Sequence, residues 1–210
     1  MKTLLIATSN PHKVDEIRAV LAPLGFQILS LDALGHDLEE PEEDGATFEA
    51  NAQIKARYYA NATGRVCLAD DSGLEVDALG GAPGVLSARY AGTGRTRAER
   101  DEANNLKLLK ALHGVPDEKR QARFVCAMCV ASPDGEILAE TRGEFPGVIG
   151  HEPKGVNGFG YDPLLYLLDA RRTSAELPPD EKNARSHRGQ ASRLMAAKLR
   201  ELQAASVWPT

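Results

Sequence analysis

The chain carries a strand that turns directly into a helix and, further on, two strands that turn directly into each other. Lys2–Ala7 is a short apolar run rich in Leu and Ile. Asn10 then offers a helix cap, Pro11 suits the first helical position, and Val14, Ile17, Leu21 and Leu24 recur at helical spacing. Later, the apolar runs Arg123–Ala131 and Glu136–Phe145 are separated by Ser132-Pro133-Asp134-Gly135, which has type I turn chemistry and predicts a hairpin. A uniform β-α-β alternation has no place for that hairpin, so the pattern predicts a mixed α/β fold.

The remaining elements fit the same class. Gly25 ends the first helix and Phe26–Leu31 reads as a second strand. Thr47 caps a helix running to about Ala60, and Val66–Ala69 is a further short strand. Residues 71–96 hold three Gly-rich turns and read as a binding loop on a rigid scaffold. Thr96–His113 and Gln190–Ala204 are helical. With 210 residues, 42% of them hydrophobic, the chain suits one domain of two tightly joined lobes over 1–210, with a core large enough to need no staple. No run approaches the ~18 apolar residues of a membrane span, and the three cysteines are too few and too odd in number for a disulfide framework. Both features predict a cytoplasmic protein with no membrane partner.

Charge is segregated rather than extreme. The 25 basic and 30 acidic residues give a net −5, which argues against a nucleic-acid partner. From Ala19 to Ile54 there is no Lys or Arg, while Asp32, Asp37, Glu39, Glu40, Glu42, Glu43, Asp44 and Glu49 crowd the stretch. From Ala170 to Arg200 the sign reverses. One region could hold a hard cation and the other an anion, although two solvated surface faces would look the same.

The common nucleotide and metal signatures are absent. There is no Gly-Lys pair for a Walker loop, no G-x-G-x-x-G after a strand and no H-E-x-x-H. Cys126 and Cys129 lie three apart in an apolar strand and so face opposite sides, which excludes a shared zinc.

Four other segments carry chemistry. Thr8-Ser9-Asn10-Pro11-His12-Lys13 lies where the first strand meets the first helix, a place whose free N–H groups suit a phosphate or simply a cap. Asp70 and Asp71 stand where an apolar strand is expected to end; one could reach a metal or water while the other braces an Asp-Ser-Gly turn. Phe159, Gly160, Tyr161 and Asp162 lie in a Gly-rich stretch that would let an aromatic lie flat on a planar ligand, or make a packed turn. Lys182, His187 and Arg188 bracket the start of the last helix, after a capping Ser186, as an anion or carbonyl site or a solvated basic cap.

These blocks, together with Gly45-Ala46-Thr47-Phe48-x-x-Asn51-Ala52 and Gly81-Ala82-Pro83-Gly84-x-x-Ser87-Ala88-Arg89-Tyr90, resemble the inosine/xanthosine triphosphate pyrophosphatase family, the Ham1-like group in its bacterial RdgB-type form. The resemblance spans Lys2 to Leu202. It implies an elongated mixed sheet with flanking helices, two lobes and an active cleft between them. It implies a homodimer that uses Mg²⁺ to cut ITP, dITP and XTP into monophosphate and pyrophosphate. Thr8, Ser9, Asn10, Pro11, His12 and Lys13 match the family's phosphate-binding turn. Asp71 matches its proton-accepting and metal-binding aspartate, and Ser72 a substrate contact beside it. Alignment on Thr47 puts the metal glutamate at Glu42, with Glu43 adjacent. Phe159, Gly160, Tyr161, Asp162, Lys182, His187 and Arg188 match the base pocket. Donors from Lys182 and Arg188 aimed at the purine O6 would be left unpaired against adenine, a costly outcome for buried groups. Two other classes remain: a nucleotide sensor without turnover, which would not need paired acids, and a single-strand binder, which 5% aromatic residues serve poorly.

Overall fold

A computed structural model describes residues 2–35, 38–206 and 208. Asp37 of the acidic stretch and Val207, Pro209 and Thr210 of the tail lie outside the described residues. The strands are β1 (Thr3–Ile6), β2 (Gln27–Ser30), β3 (Cys67–Val76), β4 (Gln121–Ala131), β5 (Ile137–Ile149), β6 (Leu165–Leu167) and β7 (Arg172–Thr173). Among the described residues they form one seven-stranded sheet in the order β2-β1-β3-β4-β5-β6-β7. β1 runs parallel to β2 and to β3, with Leu5 opposite Cys67 and Ile6 opposite Leu68. β6 is antiparallel to both β5 and β7, so the sheet is mixed as the sequence requires. The helices are α1 (Pro11–Leu21), α2 (Phe48–Thr63), α3 (Arg97–Ala111), α4 (Pro179–Arg185) and α5 (His187–Ala204).

The chain divides into two compact units. The first comprises Met1–Asp71, Cys126–Gly143 and His187–Thr210. Its core joins Leu4 and Ile6 of β1, Val14, Ile17 and Leu21 of α1, Cys126 and Met128 of β4, and Met195 and Leu199 of α5. α1 begins because the Asn10 side chain accepts from the His12 N–H at 3.1 Å and Pro11 lacks the donor that would go unpaired. Trp208 is buried here, its ring 4.5 Å from that of Phe26, so the tail has a packing role that nothing in the motif pattern announced.

The second unit comprises Ser72–Val125 and Glu144–Ser186. Leu74 and Val76 of β3, Leu108 of α3, Leu112 just past its end, and Tyr161, Leu164 and Leu165 build its core. α3 starts with a reciprocal capping box between Thr96 and Glu99.

Two sequence expectations change. The strand expected to stop at Ala69 runs on to Val76, so Asp70 and Asp71 lie inside β3 rather than at its end. Ion pairs balance the charge of the two carboxylates, and at Gly73 the absent Cβ leaves room for Ser87, whose hydroxyl accepts from the Leu74 N–H at 2.8 Å. α5 begins at His187, three residues before Gln190. All three cysteines are free and buried, consistent with Cys126 and Cys129 as core residues.

Candidate active site

In the first unit, residues from β3, α1, α2 and α5 meet in a charged cluster. Asp70 is fully buried and accepts from Lys13 at 2.9 Å and from the Arg188 Nε at 3.5 Å. Burial alone would favour the neutral acid, but Lys13, Arg188 and Lys55 hold its carboxyl well below the usual range. Its Oδ1 has no hydrogen-bond partner among the described residues. Arg188 in turn reaches the Glu16 carboxylate at 2.7 Å, and its side chain is 2% exposed. The neighbouring acids keep its charge firmly in place against the cost of burial.

Asp71, the next residue of β3, meets different partners, as adjacent residues of an extended chain must. Lys55 of α2 lies 3.1 Å from its Oδ1, and the Asn51 amide donates to its Oδ2 at 3.1 Å. Burial is the largest influence on Asp71 and raises its pKa; Glu43 works in the same direction, against Lys55 and Lys13. Lys55 also pairs with Glu43 at 3.2 Å, so one ammonium group joins two carboxylates. Burial works against the charge of Lys55, but Asp71, Asp70 and Glu43 together raise its pKa.

The phosphate-turn residues lie just before this cluster. Thr8 Oγ1 accepts from the Asn10 N–H at 3.2 Å, and Ser9 donates to Glu40 at 2.9 Å. The first turn of α1 has no acidic residue, so its N-terminal partial charge meets no carboxylate from its own turn, and Lys13 adds a full positive charge.

The second unit carries a different arrangement. Asp162 Oδ2 accepts from the Phe159 N–H at 2.8 Å and from Lys182 at 2.5 Å, and Ser174 donates to Oδ1 at 2.7 Å. The Lys182 ammonium lies 5.1 Å from the centre of the Phe159 ring. Gly158 has φ +79°, and a Cβ there would strike Asp162 and Lys182, so only glycine serves. Tyr161 is buried, and its hydroxyl donates to the Ser87 carbonyl at 2.9 Å.

The expected site residues therefore fall into two sets. Lys13, Asp70, Asp71 and Arg188 come together in the first unit, where His187 also opens α5. Phe159, Asp162 and Lys182 come together in the second, and Ser72 begins that unit next to Asp71. Glu42 is exposed, whereas Glu43 is half-buried and turned toward Lys55. The side chain that reaches the cluster is thus the neighbour of the one picked by alignment, because adjacent residues on an extended loop point apart. Sequence reasoning missed Lys55 and Glu16. Lys55 lies one helical turn after Asn51 on α2, a spacing that could have pointed to it.

The Ham1 family description matches residues 4–198. The chain is 53% identical to a protein named dITP/XTP pyrophosphatase from an Exiguobacterium species, over 93% of this chain and 96% of that one. It is 48% identical to a protein of the same name from Yersinia pestis, over 96% and 100%. A Ham1 protein of Coxiella burnetii superposes with a TM-score of 0.85 at 41% identity, covering 96% of this chain and all 100% of that one. The Staphylococcus aureus Ham1 protein gives 0.83 at 38% identity, over 95% and 99%.

Proposed function

The chain belongs to the Ham1 family, and from that premise we infer that it is a nucleoside triphosphate pyrophosphatase acting on non-standard purine nucleotides. It cuts dITP, XTP and ITP into the nucleoside monophosphate and pyrophosphate. The observation that carries the chemistry is the buried Asp70–Asp71 pair, with Lys13 and Lys55 against it, next to the N-terminus of α1.

In this reading a water oxygen bonds to the α-phosphorus and the bond to the α–β bridging oxygen breaks. Pyrophosphate leaves with the electron pair, and the water proton passes to Asp71. A carboxylate whose pKa is raised by burial is a better proton acceptor than an exposed one. Lys13 and the α1 N-terminus hold phosphate oxygens. Asp70 stays charged and fixes Lys13. The Phe159 ring stacks on the base, and Lys182, held by Asp162, supplies a donor toward O6. His187 and Arg188 belong to the same proposal through the family resemblance.

Mg²⁺ is proposed as the cofactor. The donor set fits it: Asp71 and Glu43 offer hard oxygens on either side of one ammonium group, and Asp70 keeps an unpaired buried oxygen. Among the described residues no three His, Cys, Asp or Glu side chains gather as a cage, which suits an ion that completes its shell with water and substrate phosphates. Lys13, Lys55 and Arg188 are already matched by Asp70, Asp71, Glu43 and Glu16, so little positive charge is left over for a triphosphate. When bound, the ion supplies that neutralisation. The same proposal takes the protein as a cytoplasmic homodimer. No helix among the described residues is long and apolar enough to cross a membrane, and the cysteines are unpaired.

The test is pyrophosphate release from dITP, XTP, ITP and ATP with and without Mg²⁺. Release from the first three, dependent on Mg²⁺ and well above that from ATP, supports the reading. Binding of dITP without release would make the protein a sensor instead.

A further inference from the structure

One face of α3 grips the turn that carries Phe159. Arg97, Asp101 and Asn105 recur every four residues and so lie in line along the helix. The Arg97 guanidinium sits 4.5 Å from the centre of the Phe159 ring. Asp101 Oδ2 accepts from the Gly160 N–H at 2.9 Å, and the Asn105 amide donates to the Gly160 carbonyl at 3.0 Å. Asp101 also faces Arg97 at 3.9 Å, which ties the ring contact to the backbone contact. Both polar groups of the Gly160 peptide positions are thus fixed by one helix, and the adjoining ring is covered on one side by the same helix.

The turn needs such a grip. A groove of about 370 Å³ runs between α3 and the turn, lined by Leu106, Leu109, Val156 and Pro163 among others. Val156 is 96% exposed and Leu106 61%. Close packing, which fixes most side chains in a core, is therefore missing on that side. Gly158 and Gly160, both at positive φ, have no side chain to anchor the segment. Polar contacts from α3 supply the restraint that packing does not.

We propose that Arg97, Asp101 and Asn105 are positioning residues for base recognition: they hold the Phe159 ring in the orientation that stacks on the purine, with Arg97 backing the ring. The proposal rests on the reading of Phe159 as the base platform. It assigns a specificity role to the start of α3, a segment that carried no motif. The contacts lie wholly within the second unit, so they act on the base end of the substrate and not on the charged cluster of the first.

The test uses the two products as separate probes. Inosine monophosphate carries the base; pyrophosphate carries only the phosphate tail. Competitive inhibition constants for each are measured against dITP turnover for wild type, Asp101→Ala, Asp101→Asn and Arg97→Ala. Asp101→Ala removes a charge-assisted hydrogen bond and is expected to weaken inosine monophosphate roughly tenfold. Asp101→Asn keeps an acceptor oxygen and is expected to recover most of that loss. Arg97→Ala removes the ring contact and the 3.9 Å pairing with Asp101 but leaves both Gly160 hydrogen bonds, with an expected weakening of roughly two- to fivefold. Pyrophosphate inhibition stays at the wild-type value in all three. Equal shifts for both products, no shift for inosine monophosphate, or no recovery with Asn would each overturn the proposal. If Asp101→Ala does not fold, the exposed Arg97→Ala carries the test alone. Failure of the underlying reading looks different: wild-type protein would then release no pyrophosphate from dITP, or its turnover would be indifferent to inosine monophosphate.

Discussion

The charged cluster of the first unit and the aromatic turn of the second solve the same problem by opposite means. Around Asp70 and Asp71, side chains from four regular elements are locked by ion pairs at 2.7–3.5 Å, most of them with little exposure. Around Phe159, a ring on an irregular segment is placed by backbone hydrogen bonds and by glycines. The first arrangement is rigid because unpairing any member strands a buried charge. The second rests on one buried ion pair, Asp162 with Lys182, and otherwise on single hydrogen bonds and ring contacts. Substitutions in the cluster should therefore affect turnover and folding steeply. Substitutions in the turn should affect base affinity in small steps.

Asp71→Asn carries the largest expected effect. It keeps the shape and the contact with Asn51 but cannot take a proton. Loss of a general base typically lowers the rate about 10²–10⁴-fold. Turnover of dITP, followed by pyrophosphate release, should fall by that order while KM stays within about tenfold. A variant retaining half the wild-type kcat would place the proton acceptor elsewhere.

Arg188→Ala breaks the comparison on the stability side. It leaves the buried Asp70 with Lys13 as its ion-pair partner and takes the cation from the half-buried Glu16, and breaking a buried pair from one side typically costs about 3–5 kcal/mol. At about 2–4 °C per kcal/mol for a chain of this size, the melting temperature should drop on the order of 10 °C. A drop under about 2 °C would mean that the cluster is less tightly coupled than its geometry implies.

Much of this was legible before any coordinates. The βα start, the hairpin and the helix caps at Asn10 and Thr47 follow from local chemistry, and local chemistry decides them in the structure too. The run of β3 through Asp70 and Asp71 was not legible. Two adjacent acids normally end a strand, and what lets it continue is Lys13, Lys55 and Arg188, which come from 57, 16 and 118 residues away from their partners along the chain. The same distance hid Glu16 and the grip of α3 on Gly160, since contacts between remote segments leave no local pattern. Glu43 was one residue from the aligned choice, because a run of acids fixes composition but not which side chain turns inward.

Phe159→Ala probes the second arrangement directly. Base stacking on an aromatic ring is worth about 1–3 kcal/mol, which corresponds to a rise in the KM for dITP of about five- to 150-fold. The fall in kcat should be smaller, and pyrophosphate inhibition should not change. If kcat falls more than KM rises, the ring belongs to the reacting centre, and the division of labour between the two arrangements is wrong.

The smallest effect separates two adjacent glutamates. Glu43 is half-buried, pairs with Lys55 and shares that ammonium group with Asp71. Glu42 is exposed. Replacing a surface charge away from any cluster usually changes stability by no more than about 0.5 kcal/mol, so Glu42→Gln should leave the Mg²⁺ concentration for half-maximal turnover within about twofold of wild type. Glu43→Gln keeps an oxygen but loses the charge. It should raise that concentration about five- to tenfold, roughly the 1–1.5 kcal/mol of one weakened charge contact. It should do so without altering the preference for dITP over ATP, because the proposed reading assigns the base to Phe159 and Lys182. The measurement is a Mg²⁺ titration of dITP turnover for both variants side by side. If Glu42→Gln shifts the midpoint and Glu43→Gln does not, the acidic loop turns the other way in the working enzyme. The Lys55 bridge would then mark charge balance within the fold and not the place of the ion.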